Sequence, residues 1–232
     1  MRRQLTLGVA LGIAVLLVLD AVATRSGLAA GVIPKLTGVS LWITSRAAGV
    51  TAFLALSLDV AFGLFISTRA ADRLIPRARV VEVHQWLSVV ALATTAIHAG
   101  ALLGDRFVRF DVLDLLVPFL STYRPLAVAL GVVAAYGLLV VHLSFSWRKR
   151  IGAKVWRSLH YASFGAYAAA LIHGVAAGTD ARALSGVYLA SAGVVGALVA
   201  YRLAAARRGA AGRRAQPPLT PARAETSKQR SF

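Results

Sequence analysis

The chain has no cysteine in its 232 residues. That excludes disulfides, thiolate ligation of haem iron, iron–sulfur clusters and a haem attached covalently through thioethers. Acidic residues are also scarce: nine Asp and Glu stand against 26 Lys and Arg, giving a formal net charge of +17. Such an excess is common in nucleic-acid binders, but here the cations do not gather on a polar domain. They sit in short segments between apolar runs, where membrane topology accounts for them and no nucleic-acid partner is expected. No Gly-x-Gly-x-x-Gly occurs either, so the phosphate-cradling loop of a dinucleotide-binding domain is missing.

What the chain has in abundance is apolar surface, with 58% hydrophobic residues and a mean hydropathy of +0.69. A soluble domain of this length cannot bury so much, which points to an integral membrane bundle. Crossing the hydrocarbon core takes roughly 20 apolar residues. Runs of that kind fall at residues 5–24, 41–67, 84–103, 126–146, 159–177 and 184–204. Each is expected to be helical, because lipid offers no partner to an unpaired backbone group. The expected fold is therefore all-α, an integral membrane six-helix bundle.

Counted with a cytoplasmic amino terminus, 19 of the 26 basic residues fall in inner segments and seven outside. The inner set holds Arg69, Arg73, Arg77, Arg79, Arg148, Lys149, Arg150, Lys154 and Arg157. By the positive-inside rule this is a multi-pass protein of the cell membrane with both termini in the cytoplasm. The start of the chain, up to Ala21-Val22-Ala23, also has the features of a cleavable signal peptide; retention as a signal anchor is expected. Residues 1–40 then form a first helix and outer loop, 181–206 a final helix, and 207–232 a disordered basic cytoplasmic tail attracted to anionic membrane lipid.

The chemistry is carried by histidine. Of five, His84 and His98 lie 14 residues apart in the third span, and His160 and His173 lie 13 apart in the fifth. These separations are about 21 and 20 Å along a helix axis, so each helix presents one imidazole near each membrane face. The third and fifth spans run in the same direction, which sets His84 opposite His160 on the inner side and His98 opposite His173 on the outer side. Two facing imidazoles are the axial ligands of a low-spin haem b, so two non-covalent haems are expected between the third and fifth spans. Rotation fits less evenly. Fourteen residues fall about 40° short of four turns, but 13 fall about 140° short, and a bend near Gly165 would narrow that gap. A single intramembrane histidine is ordinarily a packing residue, as is expected of His142; two matched pairs are not explained that way.

Cationic partners for haem propionates are expected at Arg46, near the outer end of the second span, and at Arg157, near the inner end of the fifth. Asp59 lies mid-span. It reads either as a proton-handling or quinone-site carboxylate or as a protonated acid bonded within the bundle. Trp86, Trp156 and Tyr161 flank the inner histidines, where an interfacial aromatic belt explains them equally well.

Over roughly residues 44–180 the sequence resembles the ferric-reductase-like transmembrane domain, the superfamily of ferric reductases, the membrane part of NADPH oxidases and the haem subunit of periplasmic methionine sulfoxide reductase. The likeness rests on His84-x13-His98, on His160-x12-His173, on Trp156-Arg157-Ser158-Leu159-His160-Tyr161, and on Thr44-Ser45-Arg46-Ala47-Ala48-Gly49. It implies a di-haem domain over 41–180 in which the shorter fifth-span spacing is tolerated. The larger reductases continue into a FAD- and NAD(P)-binding module. No such site is expected in this chain, and Tyr123-Arg124-Pro125 does not match a flavin motif. The expected function is electron transfer from a separate cytoplasmic flavoprotein or quinol to ferric iron or to an extracytoplasmic reductase partner. The alternatives are a haem-free membrane scaffold and a proton-coupled transporter using Asp59.

Overall fold

The computed structural model describes residues 37–105 and 108–215, all of whose regular structure is helical. Helix α1 spans Thr37–Thr68, α2 Arg77–Leu102, the short α3 Val112–Leu116, α4 Pro125–Ala177 and α5 Ser185–Ala215. Four of them, all but α3, are long and apolar enough to cross a membrane. The predicted first span and the residues after 215 lie outside the described segments, so a count of six is neither reached nor tested. The last helix runs past the expected boundary at 206 to Ala215, as its alternation of alanine, a strong helix former, with arginine allows.

The 53 residues of α4 are not one rod. Gly152 adopts φ 79 and ψ 157 inside it, a conformation open essentially to glycine alone, and there the chain doubles back. Arg124 donates from its guanidinium to the Ala176 carbonyl at 2.6 Å, and Phe145 and Trp156 meet at 6.4 Å. A Cβ placed on Gly137 would stand 3.0 Å from that of Ala166, so the two legs touch almost backbone to backbone. The predicted fourth and fifth spans are thus an antiparallel hairpin, and its turn is a single glycine. Proline sets two helix starts: Pro125 occupies the first turn of α4 behind a left-handed Arg124, and Pro76 precedes α2.

The interior follows the rules of packing in lipid, where small residues let helices approach and hydroxyls supply cross-links. Ala48, Ala55, Ala61, Ala129, Ala134, Ala166 and Ala169 are buried, and Ala91 is fully so. Large apolar side chains such as Leu58, Leu126, Val140, Ile172 and Leu189 face outward, as a lipid-facing surface requires. Phe53 of α1 packs on Tyr167 of the second α4 leg and on Tyr188 of α5, at 6.1 and 5.1 Å. Beside them runs a hydroxyl chain: the Tyr167 and Ser191 oxygens lie 2.8 Å apart, and Ser191 reaches Ser57 at 2.9 Å. This knot joins three helices at mid-depth, between the two histidine levels.

Candidate functional site

Helices α1 and α2 pack closely along their length, and two histidines of α2 point into the contact. His84 donates from Nδ1 to the Asp59 carbonyl at 3.0 Å, and His98 donates from Nδ1 to the Ser45 carbonyl at 2.7 Å. Across the bundle, His173 donates from Nδ1 to the Ala127 carbonyl at 2.7 Å. A carbonyl can only accept, so in all three rings Nδ1 carries the hydrogen and Nε2 keeps the basic lone pair. This is the arrangement that orients a histidine as a metal ligand.

The four rings pair as the spacing predicts. His84 and His160 have centroids 6.1 Å apart with planes crossed at 78°, and His98 and His173 stand 6.1 Å apart at 76°. Two metal–imidazole bonds of about 2 Å each, plus half of each ring, come to roughly the same span. Both pairs therefore suit one metal ion held between two imidazoles. Among the described residues no group of three or more His, Cys, Asp or Glu is arranged around a metal. The bend expected near Gly165 is absent: Gly152 is the sole non-helical residue inside α4. The offset between His160 and His173 is left to side-chain torsions and helix tilt.

Glycine makes room for these rings, a feature that the histidine pattern alone did not reveal. A Cβ on Gly49 would lie 2.9 Å from His98 Nδ1, one on Gly131 2.7 Å from both Cε1 and Nδ1 of His173, and one on Gly63 3.4 Å from His84 Cε1. Gly49 and Gly63 are 14 residues apart on α1, the same interval as the histidines they face on the antiparallel α2. That coincidence was the available signal.

Three buried polar side-chain atoms have no hydrogen-bond partner among the described residues: Arg46 Nε, Asp59 Oδ1 and Trp156 Nε1. All belong to residues at the two pairs. Trp156 stacks on His160 at 5.2 Å. Arg46 follows Ser45, stacks over Trp42 at 4.1 Å, and bonds through its other nitrogens to Asp180 and Thr179. Each pair thus has one buried N–H donor to offer the acidic edge of a bound group. Arg157, the other predicted cation, is exposed. Arg202 of α5 comes near the His84–His160 pair instead, donating to the Tyr161 hydroxyl at 2.9 Å. His142 meets the Ser88 hydroxyl at 2.9 Å, a helix-packing contact. Asp59 is buried with Oδ1 2.7 Å from His84 Nδ1, so this carboxylate belongs to the histidine site.

A family model described as the ferric reductase like transmembrane component matches residues 48–171. No curated protein and no solved structure matches the chain.

Proposed function

Since the chain belongs to the ferric-reductase-like transmembrane family, matched over more than half its length, we propose that it carries electrons through the membrane by way of two haems b. His84 with His160 would ligate one and His98 with His173 the other. The observation that carries this reading is the repeated geometry: two crossed imidazole pairs at the same 6.1 Å separation, three of the four rings fixed at Nδ1 by a backbone carbonyl. Bound haem supplies one-electron iron centres.

The residues of the chain do the rest. Gly49 and Gly131 admit the His98 and His173 rings, and the Phe53–Tyr167–Tyr188 cluster is buried between the two levels. Arg46 Nε and Trp156 Nε1 present donors for propionate carboxylates, one at each level. Electrons would come from a separate cytoplasmic flavoprotein or from quinol, and would leave to ferric iron or to an extracytoplasmic reductase. Asp59, which the transporter reading needs as a mobile proton carrier, is engaged with His84.

The test is stoichiometry combined with pairing. Purified, haem-replete protein should give two non-covalent haems per chain by pyridine haemochrome assay, with low-spin b-type bands. His84→Ala and His160→Ala should delete the same haem, and His98→Ala and His173→Ala the other. A chain that takes up no haem, or four unrelated deletion patterns, would refute the assignment.

A further inference from the structure

The two histidine pairs share their geometry but not their charge. At the His98–His173 pair the Nδ1 acceptors are neutral: the Ser45 carbonyl and, 3.1 Å away, the Ser45 hydroxyl for His98, and the Ala127 carbonyl for His173. At the other pair both the carbonyl and the carboxylate of Asp59 stand against the one N–H of His84, at 3.0 and 2.7 Å. Asp59 is only 7% exposed, and its Oδ1 has no aligned hydrogen-bond donor among the described residues.

We propose that Asp59 sets an electrochemical slope between the two sites, holding the His84–His160 centre at the lower reduction potential. This rests on the di-haem reading above. A carboxylate behind a ligating histidine raises the basicity of the imidazole, and its negative charge favours the ferric over the ferrous state of the iron that the ring holds. Little solvent is present to screen it, so the interaction is strong at this distance. An opposing charge, Arg202, is bonded to the Tyr161 hydroxyl and is partly exposed, where screening weakens it. His142 meets Ser88 at 2.9 Å. At the other pair the charge of Arg46 is offset by its ion pair with Asp180.

With haem bound at both levels, this slope would favour transfer of one electron from the centre held by His84 and His160, oxidised from ferrous to ferric, to the one held by His98 and His173, reduced from ferric to ferrous. No bond breaks, and no proton or further reactant takes part. Asp59 is a positioning residue: it acts through His84.

The measurement is a spectroelectrochemical titration of the full chain loaded with haem. Wild type should show two resolved one-electron waves, and His98→Ala should keep the lower one. Asp59→Asn should raise the lower wave enough to change electron partition between the sites about tenfold, equivalent to about 59 mV for one electron, and should leave the upper wave in place. A single unresolved wave, a shift of the upper wave, or no shift would overturn the role of Asp59 while leaving the di-haem reading intact. If the asparagine protein takes up no haem at the inner site, Asp59→Glu, which keeps the charge, must load it with the lower wave preserved; failure there also overturns the proposal. Fewer than two haems in wild type overturns both readings.

Discussion

A methyl group at Gly131 would stand 2.7 Å from two atoms of the His173 ring, which is itself held by a 2.7 Å bond to Ala127. The ring cannot yield without losing that bond or leaving its rotamer, at a cost of about 0.5–1.5 kcal/mol for the torsion alone. At Gly63 the same methyl would meet His84 at 3.4 Å, an ordinary contact. Gly131→Ala should therefore lower occupancy of the His98–His173 haem several-fold and spare the other, while Gly63→Ala should leave both bands near wild type. Haem difference spectra of the two variants make the comparison, and equal loss in both would remove steric fit as the cause. At this scale the sequence was legible where a residue type is rare. Four histidines and one mid-span aspartate stood out in an apolar chain, whereas the glycines that face them are common in membrane helices and acquire meaning only from the residue opposite. The link from Asp59 to His84 crosses 25 residues and two helices, which no local spacing encodes.

Among the elements, spans were easier to read than turns. Apolar length placed α1 and the bilayer-crossing parts of α2 and α5 because lipid enforces it, but α2 begins seven residues before its apolar run and α5 ends eleven after its own. The basic stretch 147–158 suggested a loop between the fourth and fifth spans, yet the structure reverses direction at Gly152 and keeps the flanking residues helical. Charge says where a chain leaves the bilayer, but not whether it stays helical there. Two glycines test this account, since a Cβ meets nothing within 4 Å at either Gly152 or Gly165. Gly152→Ala forces a side-chain-bearing residue to φ 79 and should destabilise the hairpin by about 1–3 kcal/mol. Gly165→Ala lies inside a regular helix and should stabilise by up to about 1 kcal/mol. Thermal unfolding in detergent, followed by tyrosine and tryptophan fluorescence, should show midpoints moving in opposite directions. A shared direction would mean that the Gly152 conformation is not what makes the turn.

At the scale of the molecule, the two pairs occupy levels with different surroundings. His84 is seven residues into α2 and His160 eight residues beyond Gly152, so both lie about 11–12 Å from the same end of the bundle. That end carries Arg69, Arg73, Arg77, Arg79, Arg148, Lys149, Arg150, Lys154 and Arg157 against Asp72 and Glu82. At the other end, among the described residues, Arg46, Arg109, Arg124 and Arg182 are matched by Asp105, Asp111, Asp114 and Asp180. On the proposed reading, in which the positive-inside rule sets the basic end in the cytoplasm, a soluble flavoprotein with an acidic docking face would meet the His84–His160 side first. Losing either haem should abolish transfer to an external acceptor, because each spans only part of the insulating layer, but the two lesions should differ at the donor step. In oriented vesicles, His98→Ala protein should still be reduced by a cytoplasmic-side flavoprotein at close to the wild-type rate, while His84→Ala protein should be reduced at least tenfold more slowly. Stopped-flow absorbance in the haem α-band reads both. Equal rates would remove the basic end as the entry point and would indicate a quinol donor bound nearer the middle of the bundle, equally accessible to either haem.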